Sequence, residues 1–114
     1  MDIRSEHLAP GLTLVTLTGR LDIAGARAVD LPLAAQVTTQ GARVIVDLSG
    51  VTFLSSLGIR SLLTPAKTAR ARGGELVLLD PQPAVLEVLT LAGLGKIIRI
   101  FTDREAAIAA LSPA

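Results

Sequence analysis

Two adjacent serines lie where a strand pattern gives way to a helix pattern, in the segment Phe53-Leu54-Ser55-Ser56-Leu57-Gly58-Ile59-Arg60. We call residues 53–60 the serine turn. The first turn of a helix has backbone N–H groups without partners and a partial positive charge. A serine hydroxyl there caps the helix by accepting from these N–H groups or, once phosphorylated, holds a phosphate beside them. The serine turn therefore indicates a switch or a contact surface, and plain N-capping by Ser55 or Ser56 is the alternative interpretation.

Catalytic and metal chemistry has little support in the sequence. His7 is the only histidine and lies near the N-terminus, so we expect a surface residue rather than a general base. The serine turn lacks the glycine of a nucleophile elbow, and Gly93-Leu94-Gly95-Lys96 lacks the upstream glycine and the following Ser or Thr of a phosphate-binding loop. The acidic residues are dispersed and cysteine is absent. We expect neither an enzyme nor a bound cofactor or metal.

Composition favours one globular domain over residues 1–114, with 50% hydrophobic and 18% charged residues. The net charge is +1, basic residues form no run, and Trp and Tyr are absent, which argues against nucleic-acid binding. No apolar stretch is long enough to span a membrane. The absence of cysteine suits a reducing compartment, so we expect a cytoplasmic protein. The mean hydropathy of +0.57 indicates either a dense core or an apolar face for a partner.

Hydrophobic periodicity predicts alternating strands and helices. Strands are predicted over residues 12–18, 44–48, 75–79 and 97–101, with one more near residues 2–8, and the strand 44–48 is apolar enough for the centre of a sheet. Helices are predicted over residues 24–40, from about 57 to Gly73-Gly74, over 83–91 and over 106–111. This order predicts an α/β fold with parallel strands joined by helical crossovers.

Local breaks refine these boundaries. Ser49-Gly50 is expected to end the central strand. Pro32 is expected to kink its helix or set a late start, and Pro65 to bend the next helix or leave one carbonyl unpaired. Thr102 and Glu105 have the spacing of a capping box, so we expect Thr102 to cap the last helix.

Four stretches together resemble the STAS domains of anti-sigma-factor antagonists, which are small bacterial proteins that take part in partner switching. The resemblance covers nearly the whole chain and depends on residues 17–22 (LTGRLD), 46–53 (VDLSGVTF), 73–78 (GGELVL) and 91–98 (LAGLGKII). It implies a single STAS-type domain with a four- or five-stranded mixed sheet, an early antiparallel strand and about four helices packed largely on one side.

The resemblance also implies a switch. In the family, the corresponding turn reads Phe, any residue, Asp, Ser, Ser or Thr, Gly, and the hydroxyl before the glycine is phosphorylated by a serine kinase that doubles as the anti-sigma factor. The unphosphorylated antagonist binds that kinase and releases the sigma factor. Alignment on Gly58 puts Ser55 at the Asp position, Ser56 at the first Ser and Leu57 at the phospho-acceptor position. Leucine cannot be phosphorylated, so phosphorylation would need to shift to Ser56 or Ser55.

The function implied by the resemblance is a non-catalytic regulator that binds a kinase-type anti-sigma factor. The expected partner-binding residues are Asp22, Ser55, Ser56, Leu57, Gly58 and Arg60. Two points stay open: whether Leu57 points outward as an apolar anchor or inward as core, and whether Asp22 is a turn residue or a binding contact. ATP or ADP would belong to the partner, and no small-molecule substrate is expected.

Two further functions compete with this one. The first is an accessory STAS subunit of a transport complex, such as a lipid-transport ATP-binding cassette system, because such relatives share the fold. The second is a small-ligand or nucleotide sensor, which the anion-friendly helix start at the serine turn would suit. A sensor should gain thermal stability from its ligand alone.

Overall fold

The computed structural model describes residues 1–112. Within them, a five-stranded sheet is flanked by four α-helices. The elements are β1 (Asp2–Ala9), β2 (Leu12–Leu21), α1 (Ile23–Gln36), β3 (Arg43–Leu54), α2 (Ser56–Ala71), β4 (Glu75–Leu79), α3 (Pro83–Leu91), a 3₁₀ turn (Leu94–Lys96), β5 (Ile100–Phe101) and α4 (Arg104–Leu111). The strand order is β1-β2-β3-β4-β5, with β1 antiparallel to β2 and the other neighbours parallel. The predicted mixed sheet is confirmed.

Alternating side chains of the sheet pack into two separate hydrophobic cores, one on each face. Val44 and Val46 of β3 belong to the larger core, which α1, α2 and α3 cover. Ile45, between them, points to the opposite face and packs with Ala107 and Leu111 of α4. Successive residues of a strand point to opposite faces, so a run of apolar residues marks a strand buried on both sides. Three of the four helices lie on one face, as the resemblance implied.

The central strand β3 is longer than predicted and continues through Ser49-Gly50 to Leu54. The prediction that this dipeptide ends the strand is wrong, because β3 continues to pair with β2 after a register shift at this point. Thr16 pairs with Asp47, whereas Thr18 pairs with Gly50. One extra residue on β3 is accommodated in this way, as in a β-bulge. The strand therefore runs directly into the serine turn.

Two helices, α1 and α2, have a proline in their interior and continue through it. Helix α1 begins at Ile23, so the late start considered for Pro32 is wrong, and it ends at Gln36, four residues before the predicted end. Helix α2 runs from Ser56 to Ala71 with Pro65 buried inside it. A proline has no N–H, so each of these helices contains one carbonyl without its usual donor four residues later.

The last strand is shorter than predicted. Ile97 and Ile98 lie in the loop after the 3₁₀ turn, and only Ile100–Phe101 pairs with β4. Ile98 is nevertheless buried, which explains why the apolar run looked like a strand. Arg99 lies between Ile98 and β5. It donates two hydrogen bonds to Glu75, of 2.7 and 2.6 Å, and this pairing raises the pKa of Arg99.

The cap of α4 is one residue later than predicted. The Asp103 side chain accepts from the backbone N–H of Ala106 at 3.2 Å, so Asp103 rather than Thr102 is the N-cap. The predicted capping box is therefore wrong, and Glu105 lies in the first helical turn instead. A carboxylate there still suits the positive end of the helix dipole.

Candidate partner-binding surface at the starts of α1 and α2

The first turns of α1 and α2 lie side by side at the C-terminal ends of β2 and β3. β2 and β3 are parallel neighbours, and Leu21 at the end of β2 pairs with Leu54 at the end of β3. Each strand is followed by a single capping residue and then by a helix. Asp22 caps α1 and Ser55 caps α2. The topology therefore brings together two segments that are 33 residues apart in the chain.

Ser55 is held by hydrogen bonds in both directions. Its Oγ accepts from the backbone N–H of Gly58 at 3.1 Å and donates to the carbonyl oxygen of Leu21 at 2.7 Å. Its backbone N–H also donates to the Leu21 carbonyl, at 2.9 Å. Of the two serines considered as caps, Ser55 is the one that caps α2, and it fastens the start of this helix to the end of β2.

Ser56 is the accessible serine of the pair. It is the first residue of α2, it is exposed, and it takes no part in the cap. Arg60, also exposed, lies four residues further along, which places both residues on the same face of the helix. A negative group on Ser56 would lie beside the positive end of the helix dipole and one turn from a guanidinium.

Asp22 caps a helix and is also partly exposed. Its Oδ1 accepts from the backbone N–H of Gly25 at 2.9 Å, which is the contact of an N-cap. Its Oδ2 lies 3.7 Å from Nε of Arg20, and the side chain remains 43% exposed. The carboxylate therefore stabilises α1 and is also presented on the surface.

Two glycines allow the helix starts to approach the strand ends closely. A Cβ on Gly25 would lie 2.1 Å from the carbonyl oxygen of Arg20, and a Cβ on Gly58 would lie 2.8 Å from that of Leu21. Both distances are shorter than van der Waals contact, and the atoms that would be hit belong to the backbone. Gly58 is buried, so it supports the surface rather than forming part of it.

Large apolar side chains are exposed around these caps. Leu57 points outward and is 41% exposed, and Ile23 at the start of α1 is 56% exposed. Phe53 is also exposed, and the guanidinium of Arg20 lies over its ring at 4.3 Å from the centroid. Sequence reasoning missed Ile23 and Arg20, although an apolar residue directly after a capping Asp was visible. Exposed apolar groups that lie together indicate a protein contact surface.

His7 and the acidic residues form no metal-binding group within residues 1–112. No cluster of three or more His, Asp or Glu in this range could hold a metal ion. His7 lies on β1 opposite Thr13, near the start of β2, and the serine turn lies at the other end of β2. His7 Nδ1 is 3.2 Å from Thr13 Oγ1. Across the described helices, none is both long and apolar enough to cross a bilayer.

Comparisons with known proteins identify the family. The family described as "STAS domain" matches residues 6–107. The chain is 38% identical over 104 residues to a candidate anti-sigma factor antagonist, BtrV, of Bordetella bronchiseptica, covering 91% of this chain and 90% of the relative. It is 28% identical over 104 residues to the anti-sigma F factor antagonist of Paenibacillus polymyxa, covering 90% and 88%.

A solved structure agrees with this assignment at the level of the fold. The anti-sigma factor antagonist SpoIIAA in its unphosphorylated form superposes with a TM-score of 0.79 at 24% identity, and the match covers 96% of each chain. The sheet order, the position of β1 and the extent of the sequence match all lead to one conclusion. The chain belongs to the STAS domain family.

Proposed function

We propose that this protein is an anti-sigma-factor antagonist, a non-catalytic regulator that binds a kinase-type anti-sigma factor in the cytoplasm. The observation that carries the proposal is the exposure of Leu57 and Ile23 at the paired starts of α2 and α1. Similarity to named antagonists over about nine-tenths of the chain supports the same class of function. The contact surface comprises Asp22, the outward residues of the serine turn and Ile23.

Leu57 is the central contact in this proposal. It occupies the position at which the family's pattern has a phosphorylated hydroxyl, and its side chain is 41% exposed. An apolar side chain there contributes by leaving water when the partner binds. Full burial of an exposed leucine is worth about 1.5–3 kcal/mol, and the 41% of the Leu57 side chain that is still exposed can contribute the corresponding part of it. Binding through Leu57 does not depend on the phosphorylation of this position. Arg60 adds a positive group beside it.

Ser56 is the proposed phosphorylation site if the switch operates in this protein. The hydroxyl of Ser55 already makes two hydrogen bonds, which a kinase would need to break before transferring phosphate. Ser56 is exposed and carries no such constraint from the cap. A phosphate on Ser56 would add about −1.5 to −2 charges next to Leu57. We expect this charge to weaken binding to a partner surface that is apolar or acidic.

Leu57→Asp tests the contact. We expect the variant to fold, because the side chain is partly exposed, and to lose at least about 30-fold in affinity, since truncation of a hot-spot residue costs about 2 kcal/mol or more. The measurement is isothermal titration calorimetry with the purified kinase-type anti-sigma factor of the same organism in the presence of ADP. Leu91→Asp, at an 81% exposed leucine on α3, is the matched control and should bind normally. Wild-type affinity of folded Leu57→Asp would contradict the proposed surface.

The phosphorylation site is tested with the same kinase and ATP, followed by mass spectrometry of the peptide that contains both serines. We expect phosphate on Ser56 in the wild-type protein and in Ser55→Ala, and none in Ser56→Ala. Phosphate on Ser55 would contradict the argument from the cap.

Partner class is tested by a pull-down from the native organism. Recovery of a kinase-type anti-sigma factor is expected. Recovery of transporter subunits with an unmodified serine turn would instead support the accessory STAS subunit of a transport complex. Thermal stabilisation by a nucleotide or another small ligand alone would support the sensor.

A further inference from the structure

An open groove of about 660 Å³ lies between α1 and α2 and begins at the proposed contact surface. Small residues of the two helices, including Ala26, Ser61 and Pro65, line it. Ser61 Oγ approaches the carbonyl oxygen of Ala26 at 3.4 Å, so the two helices are close at this point. Short side chains at the contact between the two helices leave the groove open to the surface, and the larger side chains on both sides make it deeper.

The α1 rim of the groove carries two exposed apolar residues at helical spacing. Ile23 is 56% exposed and Leu31 is 81% exposed. They are eight residues apart in one helix, which corresponds to about 12 Å along its axis at 1.5 Å per residue. Apolar residues at i, i+4 and i+7 or i+8 of a second helix have the same spacing. Amphipathic helices bind grooves through such anchors.

The groove is also positively charged. Arg27, Arg60 and Arg72 line it, against one aspartate, Asp30. Within residues 1–112, the ion pairs closer than 4.0 Å involve none of these four residues. Arg72 donates instead to the carbonyl oxygen of Thr38 at 2.7 Å and ties the end of α2 to the segment after α1. Arg27 and Arg60 are therefore available to acidic groups of a partner.

We propose that the α1–α2 groove binds an amphipathic helix of the anti-sigma-factor partner, whose apolar stripe is flanked by Asp or Glu. This inference rests on the proposed function and extends the contact from Leu57 and Ile23 down the groove to Leu31. Continuity supports it, since Ile23, Leu57 and Arg60 belong both to the surface around the caps and to the groove. Charge argues against a second copy of this chain, because the arginines would face one another.

The test uses the purified kinase-type anti-sigma factor and two leucines of equal exposure. Leu31 in the groove and Leu91 on α3 are both 81% exposed. We expect Leu31→Asp to weaken binding at least about tenfold and Leu91→Asp to leave it within about twofold, since the Leu91 side chain lies outside the groove. Arg27→Glu should weaken binding most at low ionic strength, because salt screens charge pairs. Circular dichroism establishes that each variant is folded.

Cross-linking then identifies the occupant. A photo-reactive amino acid at position 31 should cross-link to one helix of the partner that carries acidic residues, and the same group at position 91 should not. A cross-link from position 31 to a loop, to a basic segment or to a second copy of this chain would overturn the proposal.

The outcomes separate this inference from the proposed function. Normal binding by Leu31→Asp together with loss of binding by Leu57→Asp would restrict the contact to the helix starts, which overturns the groove and leaves the proposed function in place. Normal binding by both variants, or no binding by the wild-type protein, would overturn both. Equal losses for Leu31→Asp and Leu91→Asp would also overturn the groove, because the effect would not depend on position.

Discussion

Removal of the Ser55 hydroxyl should destabilise the protein by about 1–2 kcal/mol, the upper part of the range of about 0.5–2 kcal/mol for loss of a helix N-cap. Two hydrogen bonds are lost in Ser55→Ala, one from the Gly58 N–H at 3.1 Å and one to the Leu21 carbonyl at 2.7 Å. The Leu21 carbonyl keeps the backbone bond from residue 55 at 2.9 Å. The N–H of buried Gly58 keeps no such substitute, so it contributes most of the loss.

The expected change is large enough to measure by thermal unfolding. An unfolding entropy of about 2.1 cal/mol/K per residue, applied to this chain, converts the loss into a decrease in Tm of about 4–8 °C. Trp and Tyr are absent, so far-UV circular dichroism replaces intrinsic fluorescence as the probe. In urea, the midpoint should fall while the slope stays unchanged.

Ser56→Ala is the matched control, because it removes the same hydroxyl from the next residue. We expect a change within about 0.5 kcal/mol, as for an exposed residue without a structural contact. Ser55→Asp restores an acceptor for the Gly58 N–H and should recover part of the loss. Equal destabilisation by the two alanine variants, or a larger effect of Ser56→Ala, would refute the assignment of Ser55 as the cap.

Two further pairs of variants test the local geometry by the same unfolding measurement. Gly25→Ala should cost about 2 kcal/mol or more, because the new Cβ would lie 2.1 Å from the carbonyl oxygen of Arg20, whereas Gly95→Ala, with its nearest neighbour at 3.9 Å, should change stability by less than about 0.5 kcal/mol. A small effect at Gly25 would show that the start of α1 can shift away from β2. Asp103→Ala should cost about 0.5–2 kcal/mol and Thr102→Ala much less, and the reverse order would restore the cap predicted from the sequence.

Hydrophobic periodicity was sufficient to predict the order of the elements because it records which faces are buried. The apolar strand 44–48 lies at the centre of the sheet as expected, and Ile45 and Val46 supply opposite cores. Boundaries were less accurate where local signals competed with tertiary contacts. β3 continues through Ser49-Gly50 because it still pairs with β2 there. Ile98 is apolar because it is buried in a loop, so the apolar run starts earlier than β5 and the predicted strand was too long.

The candidate site was only partly visible in the sequence. The serine turn, Asp22 and Arg60 were found because capping residues and helix starts have recognisable local patterns. Ile23, Arg20 and the groove were not found, since each depends on residues brought together from two helices or two strands. Which serine caps α2 was also undecided, because two adjacent hydroxyls are equivalent until the backbone directions are known.

The sequence by itself determined the α/β class, the alternation of strands and helices and the resemblance to STAS domains, because these follow from residue types at short range. Only the tertiary structure decided that Ser55 is committed to the cap, that Ser56 and Leu57 face outward, and that α1 and α2 start side by side. The physical reason is that the Leu21 carbonyl, the hydrogen-bond acceptor that distinguishes the two serines, lies 34 residues away in the chain.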